Sequence, residues 1–371
     1  MTTTVNRPAV SLGPVSPTET PTRPMQFGFA AKVLGQEGLK SNDARRWQND
    51  PHLRVSIDYL REIFTYLDKT DIRMYRMSSD IAPYVTHPDL PQFHRQIDEA
   101  QDELRDLGQT AKRLNMRLSM HPSQFIILNS PDPKLVEKSV SDLLAGAQIL
   151  DAMEQGPEAV LVIHVGGTYG DHTSGCDRWV QTYATLPEPV RRRLVLENDD
   201  LRYSAADVLE IHDRTGVPLI FDFQHFCCNN PEGMNLADTV ARFLASWPPS
   251  VRPKIHYSSP NTSMREVQQR DRKTGKLKTA LVPPIWTGHA DFVNPFEFAT
   301  FMRMVDNQGT GRAFDVMLEA KSKDLALLRL RRDLPRYAPD VALRFGLAPN
   351  APGASDDNIV EELAEAASGE A

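Results

Sequence analysis

Eight short apolar runs, separated by amphipathic segments, constrain the fold of this chain more than any other feature. The runs comprise residues 26–30, 72–77, 117–120, 159–165, 194–197, 219–223, 254–257 and 315–318. Each is mostly apolar throughout, as expected for parallel strands that are buried on both faces. Between them, apolar residues recur at helical spacing in segments 56–68, 92–114, 133–153, 205–215 and 236–245. A strand followed by a helix, repeated eight times, predicts an α/β fold: a single (β/α)8 barrel, or TIM barrel.

A doubly wound open sheet is the structural alternative. No GxGxxG or GxxxxGK[ST] motif follows a predicted strand, which disfavours the nucleotide-binding open sheets. We expect the barrel to occupy residues 25–347. Residues 1–24 are rich in Pro and Thr and predict a disordered tail, and residues 348–371 predict a second, acidic tail.

The chain shows no sequence signature of export or of membrane insertion. No apolar run reaches the roughly 18 residues that span a bilayer, and the N-terminus lacks the basic and apolar blocks of a secretory signal. The cysteines are Cys176, Cys227 and Cys228, which show no CxxC spacing and predict no disulfide framework. We therefore expect a cytoplasmic, monomeric protein.

The formal net charge of −7 does not exclude a nucleic-acid partner. The segment from Leu347 onward carries six carboxylates and no Lys or Arg, so the rest of the chain has a net charge of −1. The interval between the last two predicted strands contains a basic stretch at 263–278, SMREVQQRDRKTGKLK. This stretch predicts either a solvated hairpin or a loop that grips a phosphate backbone.

Histidines and carboxylates recur at the carboxyl ends of the predicted strands. They are His121, His164, Glu197, Asp222, His225, His256 and Glu319, accompanied by Lys254, with His87 and His289 in the loops after strands two and seven. Barrel enzymes place their chemistry at this face, so these side chains are expected to converge. Crowded imidazoles and carboxylates destabilise one another unless positive charge holds them. The sequence therefore predicts a metal site.

The types of ligand narrow the choice of metal. Imidazole and carboxylate without thiolate suit Zn²⁺, Mn²⁺ or Fe²⁺ better than Mg²⁺ or Ca²⁺. The number of predicted ligands exceeds the needs of one ion, so two or three ions are expected. Such a site indicates phosphoester hydrolysis and also permits sugar isomerisation.

At this point the motifs resemble those of the UV damage endonucleases, barrel enzymes related to the endonuclease IV abasic-site nucleases. The matching segments are RMYRMSSD at 73–80 with THP at 86–88, SMHPSQF at 119–125, VIHVGG at 162–167, LEND at 196–199, FDFQH at 221–225, KIHYS at 254–258 and LEAK at 318–321. The resemblance implies cleavage of duplex DNA immediately 5′ to cyclobutane pyrimidine dimers and 6-4 photoproducts, which initiates excision repair.

The resemblance also implies a cluster of three divalent ions, with Mn²⁺ expected and Zn²⁺, Co²⁺ or Fe²⁺ as alternatives. The implied ligands are His121, His164 and Glu197 for one ion, Glu197 with Asp222, His256 and Glu319 for a second, and His225 and His289 for the third. Glu197, His87 and Lys254 are the implied catalytic residues, with His87 contacting the scissile phosphate. Lys254 is either carboxylated or a plain lysine paired with a carboxylate.

The resemblance implies that lesions are recognised by a Gln-Tyr pair wedged into the duplex. Here the pair is Gln124 and Phe125, and Phe29 stands where a tyrosine is common, so we expect all three to contact DNA. Phenylalanine keeps the stacking face but lacks the hydroxyl, which leaves the lesion preference open. The alternatives are an abasic-site endonuclease of the endonuclease IV type, a metal-dependent sugar isomerase or epimerase, and a non-catalytic DNA-binding protein.

Overall fold

The strands occupy the positions that the apolar runs predict. The computed structural model describes residues 23–123, 125–270, 275–307 and 312–348. Its strands are β1 (Phe27–Ala30), β2 (Met74–Met77), β3 (Arg117–Met120), β4 (Val160–His164), β5 (Leu194–Glu197), β6 (Leu219–Ile220), β7 (Lys254–Tyr257), β8 (Arg265–Arg270), β9 (Leu277–Val282) and β10 (Asp315–Leu318). All except β8 and β9 coincide with a predicted strand.

Helices connect the strands, and their ends follow local capping chemistry. They are α1 (Leu53–Lys69), α2 (Gln96–Glu99), α3 (Gln101–Arg113), α4 (Pro133–Ala152), α5 (His172–Thr185), α6 (Glu188–Arg191), α7 (Ala205–Thr215), α8 (Phe223–Cys228), α9 (Leu236–Ala245), α10 (Pro295–Asn307), α11 (Lys323–Tyr337) and α12 (Pro339–Arg344). A capping box formed by Ser204 and Asp207 begins α7, and Gly216, at φ 75°, ends it. The single helix predicted over 92–114 is instead two, because the chain leaves helical geometry at Ala100.

Eight parallel strands form the barrel. Their order is β6-β5-β4-β3-β2-β1-β10-β7, and a parallel bridge between Asp222 and His256 joins the two outer strands. The prediction of a (β/α)8 barrel is therefore confirmed. The connectivity places every strand's carboxyl end at one mouth of the barrel.

The core lies inside the barrel and between the barrel and its helices. Phe29, Tyr75 and Tyr257 are fully buried on the strands, and each such side chain contributes roughly 1.5–3 kcal/mol through burial. None of the helices within the described ranges combines the length and the apolarity needed to cross a membrane. The predicted tails lie outside the described residues, apart from Arg23, Pro24 and Ala348.

A buried ionic cluster closes the end of the barrel opposite the mouth. Asp315, at the start of β10, has no exposed side-chain surface, and its carboxylate lies 2.9 Å from Arg117 and 2.8 Å from Arg23. Arg252 lies 3.6 Å from the same carboxylate and also donates to the carbonyls of Arg23 and Pro24. The backbone N–H of Gln26 donates to Asp315 as well. The carboxylate of Asp315 therefore binds the segment before β1 to the base of the barrel.

Substitution of Asp315 by Asn should destabilise the fold strongly. It would leave buried guanidinium groups without their counter-charge, and removing one partner of a buried ion pair costs about 3–5 kcal/mol. The free energy of unfolding in urea measures the loss. Asp340→Asn is the matched control, because Asp340 pairs with Arg303 on the exposed surface and such pairs contribute about 0–1 kcal/mol. Equal losses in the two variants would contradict this account of the cluster.

Candidate metal centre

The mouth of the barrel opens into a cavity of about 810 Å³. Its floor is formed by side chains at the strand ends, including His121, His164, His225 and Glu319. Its walls come from the loops at 166–169 and 199–202, which follow β4 and β5. The histidines and the carboxylate therefore share one open cavity at the carboxyl ends of the strands.

Glu197, the last residue of β5, lies at the centre of these side chains and is fully buried. One carboxylate oxygen, Oε2, lies 3.0 Å from Nε2 of His121 and 3.7 Å from Nε2 of His164. The other oxygen, Oε1, lies 2.7 Å from Nδ1 of His256 and 3.7 Å from Nδ1 of His225. Each oxygen thus faces a different set of imidazoles, as a bridging ligand requires.

Two groups of ligand atoms meet at Glu197. Atoms of His121, His164 and Glu197 lie within 4.8 Å of one another, and so do atoms of Glu197, Asp222, His256 and Glu319. These are the ligand sets that the resemblance implies for the first two ions. The structure therefore brings these residues together from five strands and the bridge that closes the barrel.

His225 and His289, the pair implied for a third ion, face each other at a ring-centroid distance of 6.1 Å. Nε2 of His289 lies 3.7 Å from Oε2 of Glu319. Nδ1 of His225 lies 2.9 Å from the carbonyl oxygen of Asn198. Both rings thus border the cluster, although they share no ligand group as compact as the two around Glu197.

The electrostatics of the cluster favour ionised carboxylates beside imidazoles. Burial raises the pKa of Glu197, but His256 and His164 outweigh it, and the pKa lies well below its usual range. Burial lowers the pKa of His225, yet Asp222 and Glu197 raise it to about 9. Asp222 is the exception: burial, together with Glu197 and Glu319, raises the pKa of its carboxyl group, so ionised Asp222 lacks the positive charge that a cation would supply. The site therefore concentrates negative charge where a cation would be stabilised.

The donor pattern fits a bound metal ion. Nδ1 of His121 lies 3.1 Å from the carbonyl oxygen of Pro122, which only accepts hydrogen bonds and so assigns the ring proton to Nδ1. Nε2 of His121 then directs its lone pair toward the carboxylate of Glu197 at 3.0 Å. Because both of these atoms are acceptors, they repel each other unless a proton or a metal ion lies between them. A carbonyl that orients the far side of a ligating imidazole is a usual feature of metal sites.

Unpaired buried atoms support the same assignment. Within the described residues, Oδ2 of Asp222 is buried and has no hydrogen-bond partner. Buried polar atoms are almost always paired, so this exception suits coordination, whereas His256 turns Nδ1 toward Glu197 and Glu319. Nζ of Lys254 is also buried there and has no hydrogen-bond partner among the described residues, so the predicted alternative of a plain lysine paired with a carboxylate is not observed. Burial, with Arg117 and Arg76 nearby, holds the pKa of Lys254 well below its usual value.

The residues expected to contact DNA differ in their positions. Phe125 is 76 % exposed beside the cavity, whereas Gln124 lies outside the described residues. Phe29 differs from the prediction, because it is fully buried against Tyr75 and has no exposed surface through which to contact DNA. His87 is exposed and lines a neighbouring cavity, which shares Pro122, Ser123 and Ile126 with the cavity of the metal centre.

Several residues support the site although the sequence patterns had not assigned them a role. Arg76 forms an ion pair with Glu319. Asn198 accepts from the backbone N–H of Asp222 at 2.9 Å and also contacts His225. Oγ of Ser258 lies 2.5 Å from Nδ1 of His289. All three lie inside motifs that carry the family resemblance, and this position in the motifs is the sequence signal that could have indicated a role for them.

A second group of potential ligands lies behind the cavity wall. It consists of His172, Cys176 and Asp207. Nε2 of His172 lies 3.1 Å from the carbonyl oxygen of Arg202, and Asp207 caps α7. Burial raises the pKa of the Cys176 thiol to about 12. These side chains therefore already serve local structure.

Comparison with known proteins identifies the family to which the chain belongs. The family model described as "UV-endonuclease UvdE" matches residues 52–343. A UV DNA damage endonuclease of Bacillus pumilus is 35 % identical over 85 % of this chain and 89 % of its own length; one of Bacillus velezensis is 32 % identical over 71 % and 75 %. The crystal structure of SacUVDE matches with a TM-score of 0.68 and 28 % identity, covering 84 % of this chain and 98 % of that one. This chain belongs to the UV-endonuclease UvdE family.

Proposed function

We propose that this protein is a metal-dependent endonuclease that nicks duplex DNA immediately 5′ to cyclobutane pyrimidine dimers and 6-4 photoproducts, and so initiates excision repair. Family membership supports DNA cleavage. The observation that carries the chemistry is the buried carboxylate of Glu197 between two compact groups of ligand atoms. We further propose that it acts as a cytoplasmic monomer on the cell's duplex DNA.

Three divalent ions, Mn²⁺ in the first instance, are proposed for this cluster. His121, His164 and Glu197 would hold one ion, and Glu197 with Asp222, His256 and Glu319 a second. His225 and His289 would hold the third. When bound, such ions supply Lewis acidity that activates water and stabilises the leaving oxygen of a phosphodiester; Zn²⁺, Co²⁺ and Fe²⁺ offer the same chemistry.

The protein's own groups would position the substrate and fix the ligands. Arg76 and Arg202 line the cavity, where guanidinium groups can bind phosphate oxygens. Arg76 also holds Glu319 in place through their ion pair. His87, at the adjoining cavity, would approach the scissile phosphate from the side.

Phe125 would act as the wedge at a lesion. Its ring is exposed beside the cavity rim, and an aromatic ring can stack on a displaced base without reading its sequence. Gln124 would act with it. The buried ring of Phe29 would support the barrel wall rather than contact the DNA.

Lys254 would contribute to the cluster in one of two forms: an uncharged amine or an anionic, carboxylated lysine. Its Nζ is buried and has no hydrogen-bond partner among the described residues, with Arg117 and Arg76 nearby, so a protonated amine is unfavourable. A neutral amine removes the conflict. So does carboxylation, in which the amine bonds to carbon dioxide and releases a proton. The intact mass of the native protein distinguishes these forms.

Strand nicking on three labelled duplexes tests the proposed function. The duplexes carry no damage, one cyclobutane dimer or one abasic site, and each is incubated with Mn²⁺ or with a chelator. We expect cutting immediately 5′ to the dimer with Mn²⁺ alone. Cutting only at the abasic site would favour the endonuclease IV type of activity. If the folded, metal-loaded protein cuts none of the duplexes, the proposal is contradicted and the sugar isomerase alternative is favoured.

The same assay tests Glu197. Glu197→Gln should reduce nicking by more than about 100-fold, because even the outer partners of metal ligands typically contribute 10- to 100-fold. Folding and binding to damaged DNA should be largely retained. Glu137→Gln, at an exposed position of α4, is the control and should nick normally. Wild-type nicking by soluble Glu197→Gln protein would refute the role of this bridging ligand.

Removal of metal should lower the stability of the protein. Without bound ions the buried carboxylates repel one another, and a ligand at 100 times its dissociation constant stabilises a fold by about 2.7 kcal/mol. Thermal unfolding with Mn²⁺ and with chelator measures this gain, and elemental analysis should find three ions per chain. The gain should be smaller in Glu197→Gln and unchanged in Glu137→Gln. Identical unfolding under both conditions would argue against the metal centre.

Truncation of the wedge should impair binding to damaged DNA selectively. Phe125→Ala should weaken affinity for the dimer-containing duplex roughly 5- to 150-fold, since stacking of a base on an aromatic ring is worth about 1–3 kcal/mol. Affinity for undamaged duplex should change little. Leu343→Ala, at an exposed site on α12, is the control. Fluorescence anisotropy measures both affinities, and an equal loss on both duplexes would show that Phe125 does not recognise the lesion.

A further inference from the structure

The basic stretch between the last two barrel strands forms an antiparallel hairpin. Strands β8 and β9 pair from Arg265 opposite Val282 to Arg270 opposite Leu277. The hairpin follows β7 and precedes α10, so it leaves the barrel at the mouth that holds the metal centre. Residues 271–274, between the two strands, lie outside the described residues.

The two faces of the hairpin differ in exposure. Residues opposite each other in an antiparallel pair share a face. One face carries Glu266, Gln268, Arg270, Leu277, Thr279 and Leu281, all of which are exposed. The other face is partly covered at Arg265, Val267, Ala280 and Val282. Gln269 and Lys278 on this second face are nevertheless exposed, as is Lys276 beyond the paired residues. Exposed basic side chains therefore lie on both faces: Arg270 on the first and Lys278 on the second.

The charge of the hairpin is opposite to that of the whole chain. Residues 263–278 contain six basic and two acidic side chains, a net charge of +4 in a chain of net charge −7. The guanidinium groups of Arg265 and Arg270 donate to the carbonyl oxygens of Pro283 and Gly275, within the hairpin and its base. Carbonyl partners orient these groups without neutralising them, so a polyanion is the complementary partner.

The base of the hairpin also holds a proposed metal ligand. Asn261 donates its backbone N–H to the carbonyl of Gly288 at 2.7 Å, and Ala290 donates to Ser259 at 2.8 Å. An antiparallel bridge between Pro260 and His289 lies between these two bonds. His289 is therefore part of the hairpin's base.

A side-chain relay reinforces this connection. Nε2 of Gln224 donates to the carbonyl oxygen of Trp286 at 3.1 Å. Oγ of Ser258 lies 2.5 Å from Oε1 of Gln224 and 2.5 Å from Nδ1 of His289. Gln224 and Ser258 thus connect the base of the hairpin, at Trp286, to the imidazole of His289 through hydrogen bonds.

We propose that the β8–β9 hairpin is a DNA-binding arm that lies along the phosphate backbone of duplex DNA beside the metal centre. The inference rests on the proposed function, since DNA is the polyanion that reaches the mouth. Six residues per strand give the arm a length of about 20 Å, which spans about six base pairs measured along the helix axis, where each strand carries one phosphate per 3.4 Å. The arm binds independently of the lesion, because phosphates are present at every sequence.

The test compares DNA binding by two charge-matched variants of the metal-loaded enzyme on undamaged duplex, over a range of salt concentrations. The arm variant replaces four basic residues by Gln: Arg265, Arg270, Lys276 and Lys278. The control variant replaces four basic residues by Gln near the carboxyl ends of α1, α3 and α7, next to the strand starts and away from the mouth: Lys69, Lys112, Arg113 and Arg214. Circular dichroism and thermal unfolding verify that both variants fold.

We expect the slope of log affinity against log salt concentration to become less steep by about 2 to 4 in the arm variant, since each phosphate contact contributes about 0.9. The control variant should keep the wild-type slope. An unchanged slope in the arm variant, or equal changes in both variants, would overturn the proposal. This experiment measures only binding to undamaged duplex, so it does not depend on cleavage. If the arm variant shows the less steep slope but the wild-type protein does not nick a dimer, the DNA-binding arm is supported and the proposed cleavage is rejected.

A second copy of the chain is the competing occupant of the exposed face. Leu277 and Leu281 are 62 % and 65 % exposed there. If sedimentation velocity shows a dimer that Leu277→Ser with Leu281→Ser converts to monomer, while the arm variant leaves DNA affinity unchanged, the hairpin is a protein interface. Monomeric wild-type protein together with the expected salt dependence supports the DNA-binding arm.

Discussion

The buried negative charge of Glu197 is the constraint on which the rest of the site depends. A carboxylate without solvent exposure is stable only if positive charge or hydrogen-bond donors surround it. Here imidazoles from β4, β7 and the segments after β3 and β6 supply those contacts. Closing the barrel through the bridge between Asp222 and His256 brings the last of them into place. The architecture therefore creates a charge arrangement that a divalent metal ion would complete.

The two ends of the barrel solve opposite electrostatic problems. At the base, Asp315 is surrounded by arginines, so its charge is balanced by fixed protein cations and serves stability. At the mouth, carboxylates face imidazoles, and Oδ2 of Asp222 has no hydrogen-bond partner among the described residues, an arrangement that a divalent metal ion would complete. Lys254 is buried at the start of β7 and meets the fields of both Arg117 and Glu197.

Net charge is a poor guide to the partner of this protein. The total of −7 includes the acidic segment after residue 347 and the buried carboxylates of the proposed metal centre. The surface that a duplex would meet instead includes Arg76 and Arg202 in the cavity and the basic β8–β9 hairpin. Local charge, rather than the total, decides whether a polyanion can approach.

The sequence by itself determined the eight barrel strands and the residues at their ends, because strand and helix periodicity are local properties of the chain. It also predicted that the histidines and carboxylates around Glu197 converge, since the carboxyl ends of parallel strands in a barrel meet. The proposed division into ligand sets came from the family resemblance. Only the tertiary structure decided that Arg76 pairs with Glu319, a contact between residues 243 positions apart. It also decided that Phe29 is buried and that the basic stretch is a hairpin whose base holds His289. These features depend on packing between distant segments, which no local pattern encodes.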